Sequence, residues 1–84
     1  MNKQKLFKQI LNNQKNVKFD DFVTILNAFG FYCTRTNGSH NIFKNELIPE
    51  FINAQNVNGE AKPYQIKQFF ALAEKYNLKM EDNS

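Results

Sequence analysis

Asn37-Gly38 is the feature that most limits what this chain can fold into. The dipeptide accepts positive φ at both positions, so it favours a two-residue type I′ loop. It separates two runs suited to strands. Residues 31–36 are rich in aromatic and β-branched types, and residues 40–44 (HNIFK) form the return. With that loop, Thr36 lies opposite Ser39, Arg35 opposite His40, Thr34 opposite Asn41, Cys33 opposite Ile42 and Tyr32 opposite Phe43. Side chains alternate between faces, so Arg35, His40, Cys33, Ile42 and Lys44 are expected on one face. Cys33 and Ile42 read as core, with Arg35 and His40 at its rim. A cation beside an imidazole favours the neutral form, which is the form a general base needs. A lone histidine at a turn is more often a capping or solvated residue, and Arg35 and Lys44 alone are ordinary strand charges. The hairpin leaves both readings open.

Helical patterns flank the hairpin. Leu6, Phe7, Ile10 and Leu11 share one face of a short helix over residues 3–13, which needs tertiary support to persist. Phe19, Phe22, Val23, Leu26 and Phe29 recur at steps of three and four. Asp20 and Asp21 suit the first turn of that helix, and Gly30 suits its end. A third strand is read at residues 51–55, after a turn around Glu46 to Pro49, and Asn58-Gly59 closes it. Pro63 suits the first position of a last helix, whose stripe is Ile66, Phe69, Phe70, Ala73 and Tyr76. The tail from Met80 to Ser84 is expected to fray.

The resulting order is α-α-β-β-β-α. We expect an α+β fold, with a three-stranded antiparallel sheet and the helices on one face. Without the first helix, this is the order of a double-stranded-RNA-binding domain. The 84 residues read as one domain, divided into an extra N-terminal helix and linker (1–18), a core (19–80) and a tail (81–84). So short a chain buries a modest core, and its nine Phe and three Tyr suit that task.

Charge and cysteine count narrow the class. The net charge of +3 permits an anionic partner without requiring one. A single cysteine excludes an internal disulfide and suggests a reducing compartment. Cys33 reads as a small buried hydrophobe rather than a nucleophile. The N-terminal stretch lacks the apolar core and cleavage site of a secretory signal, and no run is long enough to span a membrane. A cytoplasmic protein is the expectation. The acids Asp20, Asp21, Glu46 and Glu50 lack ligand-like spacing, so neither a metal nor a cofactor is expected.

The stretch LNAFGFYCTRTNGSHNIFKN resembles the core of the HicA toxins, the mRNA interferases of HicA–HicB toxin–antitoxin pairs. In that family a helix ends in a Leu-x-x-x-Gly-Phe phrase, here Leu26 to Phe31. A strand ending in Arg follows, here Arg35, then Gly38-Ser39-His40, then an apolar return strand, here Ile42-Phe43. Gly59 and Lys62-Pro63 match a later Gly and the Lys-Pro that opens the last helix. The resemblance spans roughly residues 19–80. It implies a double-stranded-RNA-binding-domain-like fold, cleavage of mRNA with His40 as the catalytic residue, and a HicB-like antitoxin that blocks the site. Two departures stand out. The N-terminal helix is extra, and the third strand, EFINAQN, is more polar than the Val-rich strand expected.

If the resemblance holds, the RNA's own 2′-OH is the nucleophile and His40 takes its proton. Arg35, then Lys44, would stabilise the charge on the phosphate. Lys62 at the start of the last helix would hold a neighbouring phosphate. With one histidine, the leaving oxygen needs another proton source: water, Lys44, a tyrosine or a second His40 across a dimer. Tyr32, Phe43 and Tyr64 offer stacking faces for bases, although Tyr32 and Phe43 read better as a cross-strand pair. Two alternatives are a non-catalytic RNA-binding module and a protein-interaction domain using the extra helix and the sheet edge.

Overall fold

Each apolar stripe becomes a helix in the computed structural model, which describes residues 2–81. The helices are α1 (Lys3–Asn12), α2 (Phe19–Ala28) and α3 (Pro63–Lys75). The strands are β1 (Tyr32–Asn37), β2 (His40–Lys44), β3 (Ile52–Val57) and β4 (Glu60–Ala61), in one antiparallel sheet of order β1-β2-β3-β4. The α+β class and the double-stranded-RNA-binding-domain-like order are as expected. The sheet differs from the expected three strands by the short β4, whose two residues pair with Asn56 and Val57 across the Asn58-Gly59 turn.

Backbone chemistry ends the helices. After α2, Gly30 takes φ +90°, its N–H donates to the Asn27 carbonyl at 3.0 Å, and the Phe31 N–H donates to the Leu26 carbonyl at 2.9 Å. This paired closure is the Schellman arrangement, and glycine suits it because it has no Cβ. Asn77 does the same after α3 at φ 53°, with the Leu78 N–H on the Ala73 carbonyl at 2.8 Å. The side chain of Asn2 caps α1 by accepting from the N–H groups of Gln4 and Lys5.

The core lies between the helices and one face of the sheet. Phe43, Ile52 and Ala54 point into it, with Phe22, Ile25, Leu26, Phe31, Ile66 and Phe69. Phe69 is central: its ring meets Phe22, Phe29 and Phe31 edge-on at centroid distances of 6.1, 5.1 and 6.0 Å. The extra helix α1 belongs to this core. It buries Leu6 and Ile10, and Phe7 lies 5.3 Å from Phe29 and 5.5 Å from Phe70. Of the expected frayed tail, Met80 packs against the core and the Glu81 N–H donates to the Ala28 carbonyl at 2.7 Å. Residues 82–84 lie outside the described residues.

The hairpin register differs from expectation. Asn37 faces His40, Thr36 faces Asn41 and Arg35 faces Ile42. A bulge between Cys33 and Arg35 then shifts the pairing to Cys33 with Phe43 and Tyr32 with Lys44. The loop is therefore Gly38-Ser39. Within residues 37–39 only Gly38 has positive φ, +63°, the pattern of a II′ loop with glycine first. The type I′ loop forms at the other Asn-Gly, where Asn58 (φ 54°) and Gly59 (φ 86°) join β3 to β4. The physical reason lies in β2. Its inward position is taken by Phe43, 3% exposed, against Ile52, while Ile42 alternates outward and is half-buried. Phenylalanine gains more from burial than isoleucine. Cys33, expected in the core, is exposed on the edge strand. Phe43 is neither an exposed stacking face nor the partner of Tyr32.

Candidate functional site

His40 is the first residue of β2, directly after the Gly38-Ser39 loop, and its Cα partners are Asn37 on β1 and Gln55 on β3. The loop is held to the sheet through Ser39, whose carbonyl accepts from the Asn56 N–H at 3.0 Å and from the Asn41 side chain at 3.2 Å. Gly38 supplies the positive φ. These two residues thus aim the imidazole by shaping the backbone before it.

Arg35 is not opposite His40, because the register change places it against Ile42. The two nevertheless line one cavity of about 370 Å³, together with Thr36, Asn37 and Ile42, on the outer side of the sheet rather than at the rim of the core. Lys44 shares the outer side through strand alternation but lines a different cavity of about 250 Å³, with Tyr32, Glu46 and Glu50. Lys62 is the residue just before α3 and makes no side-chain cap there, and its ammonium sits 5.7 Å from the ring centroid of Tyr64. The structure brings Arg35 to His40 and separates Lys44 from it.

Three amide side chains serve the imidazole, and none was anticipated: Asn53 and Gln55 touch it, and Gln65 holds Gln55. Asn53 Oδ1 lies 3.3 Å and its Nδ2 3.0 Å from His40 Nδ1. Gln55 Nε2 lies 3.3 Å from His40 Nε2. Gln55 is in turn held by Gln65 of α3. Gln65 Nε2 donates to Gln55 Oε1 at 3.0 Å, and the Tyr64 hydroxyl donates to the same oxygen at 3.4 Å. Gln65 is 2% exposed. Its Oε1 accepts from the Gln55 backbone N–H at 2.8 Å. That N–H points toward β4, which has already ended, so the buried side chain replaces a missing ladder bond. The polarity of EFINAQN was the one signal of these contacts in the sequence. The amide of Gln65 lies on an otherwise apolar stripe and announces nothing by spacing.

Away from the histidine, two ionisable pairs are perturbed. The Tyr76 hydroxyl and then the Lys75 ammonium, 3.0 Å away, hold the Glu50 carboxyl below its usual value, and Glu50 holds Lys75 above its own. The Tyr32 hydroxyl donates to Glu46, which raises the phenol above its ordinary value. Among the described residues no group of three or more His, Cys, Asp or Glu side chains is placed to hold a metal. No helix among them is long and apolar enough to cross a membrane.

A family model described as the HicA toxin of bacterial toxin–antitoxin systems matches residues 19–75 of the 84-residue chain. The match runs from the first residue of α2 to the last of α3 and contains His40, Arg35, Lys44, Lys62 and the three amides, while α1 lies outside it. No curated protein and no solved structure gives a significant match.

Proposed function

The chain belongs to the HicA toxin family and is a toxin of a toxin–antitoxin system, and from that premise we propose that it is a metal-independent endoribonuclease that cleaves mRNA at His40. The observation that carries this reading is the shared cavity: the chain's one imidazole and its one guanidinium open onto the same solvent-facing hollow. His40 takes the proton of an RNA 2′-OH, and the 2′-oxygen attacks the adjacent phosphorus. The bond to the 5′-oxygen breaks, leaving a 2′,3′-cyclic phosphate on one fragment and a 5′-hydroxyl on the other. Arg35 stabilises the extra negative charge on the phosphate as it forms. The imidazole is exposed, so water reaches the leaving oxygen and supplies its proton.

Lys62 and Tyr64, which is 61% exposed, extend the site toward α3. They suit a neighbouring phosphate and a stacked base. Lys44 contacts the strand further along. A HicB-like antitoxin covers the His40 face and blocks the cavity, and the mRNA target places the toxin in the cytoplasm.

The test uses wild type and His40→Ala on a defined single-stranded RNA, with and without EDTA, with folding checked by circular dichroism. Cleavage by wild type in EDTA, and its loss in the variant, supports the reading. Equal cleavage by both overturns it. Binding of RNA by both with cleavage by neither makes the chain a non-catalytic RNA-binding module.

A further inference from the structure

The hydrogen bonds around His40 form a one-way chain that begins at a donor whose direction is not in question. A backbone N–H can only donate. The Gln55 N–H therefore requires that Gln65 present its oxygen, at 2.8 Å. With Oε1 so committed, the other end of the Gln65 amide is an NH₂ group, which donates to Gln55 Oε1 at 3.0 Å. Tyr64 donates to the same oxygen. Gln55 then has only its own NH₂ to turn toward the imidazole, 3.3 Å from Nε2. An NH₂ group facing a ring nitrogen needs a lone pair there. Nε2 is therefore the unprotonated nitrogen, and the ring proton sits on Nδ1, where Asn53 Oδ1 accepts it at 3.3 Å.

We infer that Gln65 and Gln55 are positioning residues that set the tautomer of His40, placing the basic lone pair on Nε2 and the proton on Nδ1 toward Asn53. This rests on the proposed role of His40 as the base. The substrate hydroxyl meets Nε2 by displacing the long contact from Gln55. Asn53 plays the part of the oxygen that holds the far side of a catalytic imidazole. The anchor is rigid because Gln65 is buried on α3 and its side-chain polar groups are both engaged. Asn53 alone does not choose: its nitrogen lies 3.0 Å and its oxygen 3.3 Å from Nδ1, and turning the amide about its last torsion brings the oxygen to the proton that Gln55 assigns to Nδ1. The choice is made from the buried side.

The test reads the imidazole directly by ¹⁵N NMR on histidine-labelled protein, at a pH where the ring is neutral. Wild type is expected to show a pyridine-type shift at Nε2 and a pyrrole-type shift at Nδ1. Gln55→Glu keeps the shape but turns an acceptor toward Nε2, so the proton is expected to move to Nε2 and the two shifts to exchange. Gln65→Leu releases Gln55 and is expected to give a mixture. Should Gln65→Leu fail to fold, Gln55→Glu decides alone. Wild type protonated at Nε2, or a Gln55→Glu spectrum identical to wild type, overturns the inference. The readout needs no RNA, so a chain that never cleaves RNA refutes the proposed function while leaving the tautomer result to stand or fall separately.

Discussion

Replacing Phe69 with alanine tests whether one ring locks α3 to the rest of the fold. The residue is 1% exposed and meets Phe22, Phe29 and Phe31 edge-on, with Phe70 at 5.2 Å. Truncating a buried phenylalanine costs about 3–5 kcal/mol, from lost transfer energy and the cavity left behind. At about 0.05–0.15 kcal/mol per residue, 84 residues give a total stability of about 4–13 kcal/mol. Phe69→Ala is therefore expected to remove from about a quarter of it to all of it. Phe69→Leu keeps much of the volume and loses chiefly edge-on ring pairs, each worth about 0.5–1.5 kcal/mol beyond area. Its expected loss is smaller than that of alanine. Urea unfolding followed by circular dichroism measures both, and the slope m should match wild type if the variants remain two-state. Phe70→Ala is the comparison, since that ring is only half-buried and should cost less. A Phe69→Ala loss below about 1 kcal/mol, or one smaller than that of Phe70→Ala, would refute the reasoning, because a buried ring packed against four others cannot be removed so cheaply.

Further outcomes are expected elsewhere. Arg35→Ala should lower the cleavage rate about 10²–10³-fold, the range for losing one donor to a developing anion, whereas Lys44→Ala should leave it within a few fold, because Lys44 faces a separate cavity. Single-turnover assays separate the two, and equal effects would show that the cavities act as one. Glu50 is lowered in the folded state by Tyr76 and Lys75. Its stabilising contribution is thus complete above the unfolded glutamate value and lost as the pH falls through the lowered folded value. Tyr76→Phe should flatten that acid limb in thermal melts taken as a function of pH, and an unchanged limb would remove Glu50 from the explanation. Gly38→Ala should cost about 1–3 kcal/mol, the usual range for a strained φ, since an added Cβ meets nothing within 4 Å and only φ +63° opposes it. Gly30→Ala should cost more, because φ +90° lies outside the left-handed α region that φ +63° still occupies, while Glu81 Oε2 at 3.2 Å from the added Cβ can swing aside. Urea titrations of the two variants give the order.

The sequence by itself determined the helices, the order of all elements but the short β4, and the family. The stripes over residues 19–29 and 63–76 are local periodicities, and Gly30 and Asn58-Gly59 act where they stand because positive φ is a property of the residue itself. Tertiary structure decided what faces His40. Burial of Phe43 against Ile52 chose the inward face of β2, and the Gly38-Ser39 loop sets Arg35 opposite Ile42, where it lines the histidine's cavity without being its cross-strand partner. The end of β4 left the Gln55 N–H without a strand partner, and Gln65 reached it from α3. A side-chain amide both donates and accepts, so its type says little about the direction of its bonds. That direction is set only when the fold brings an unambiguous backbone donor to one end of the chain of amides and the imidazole to the other.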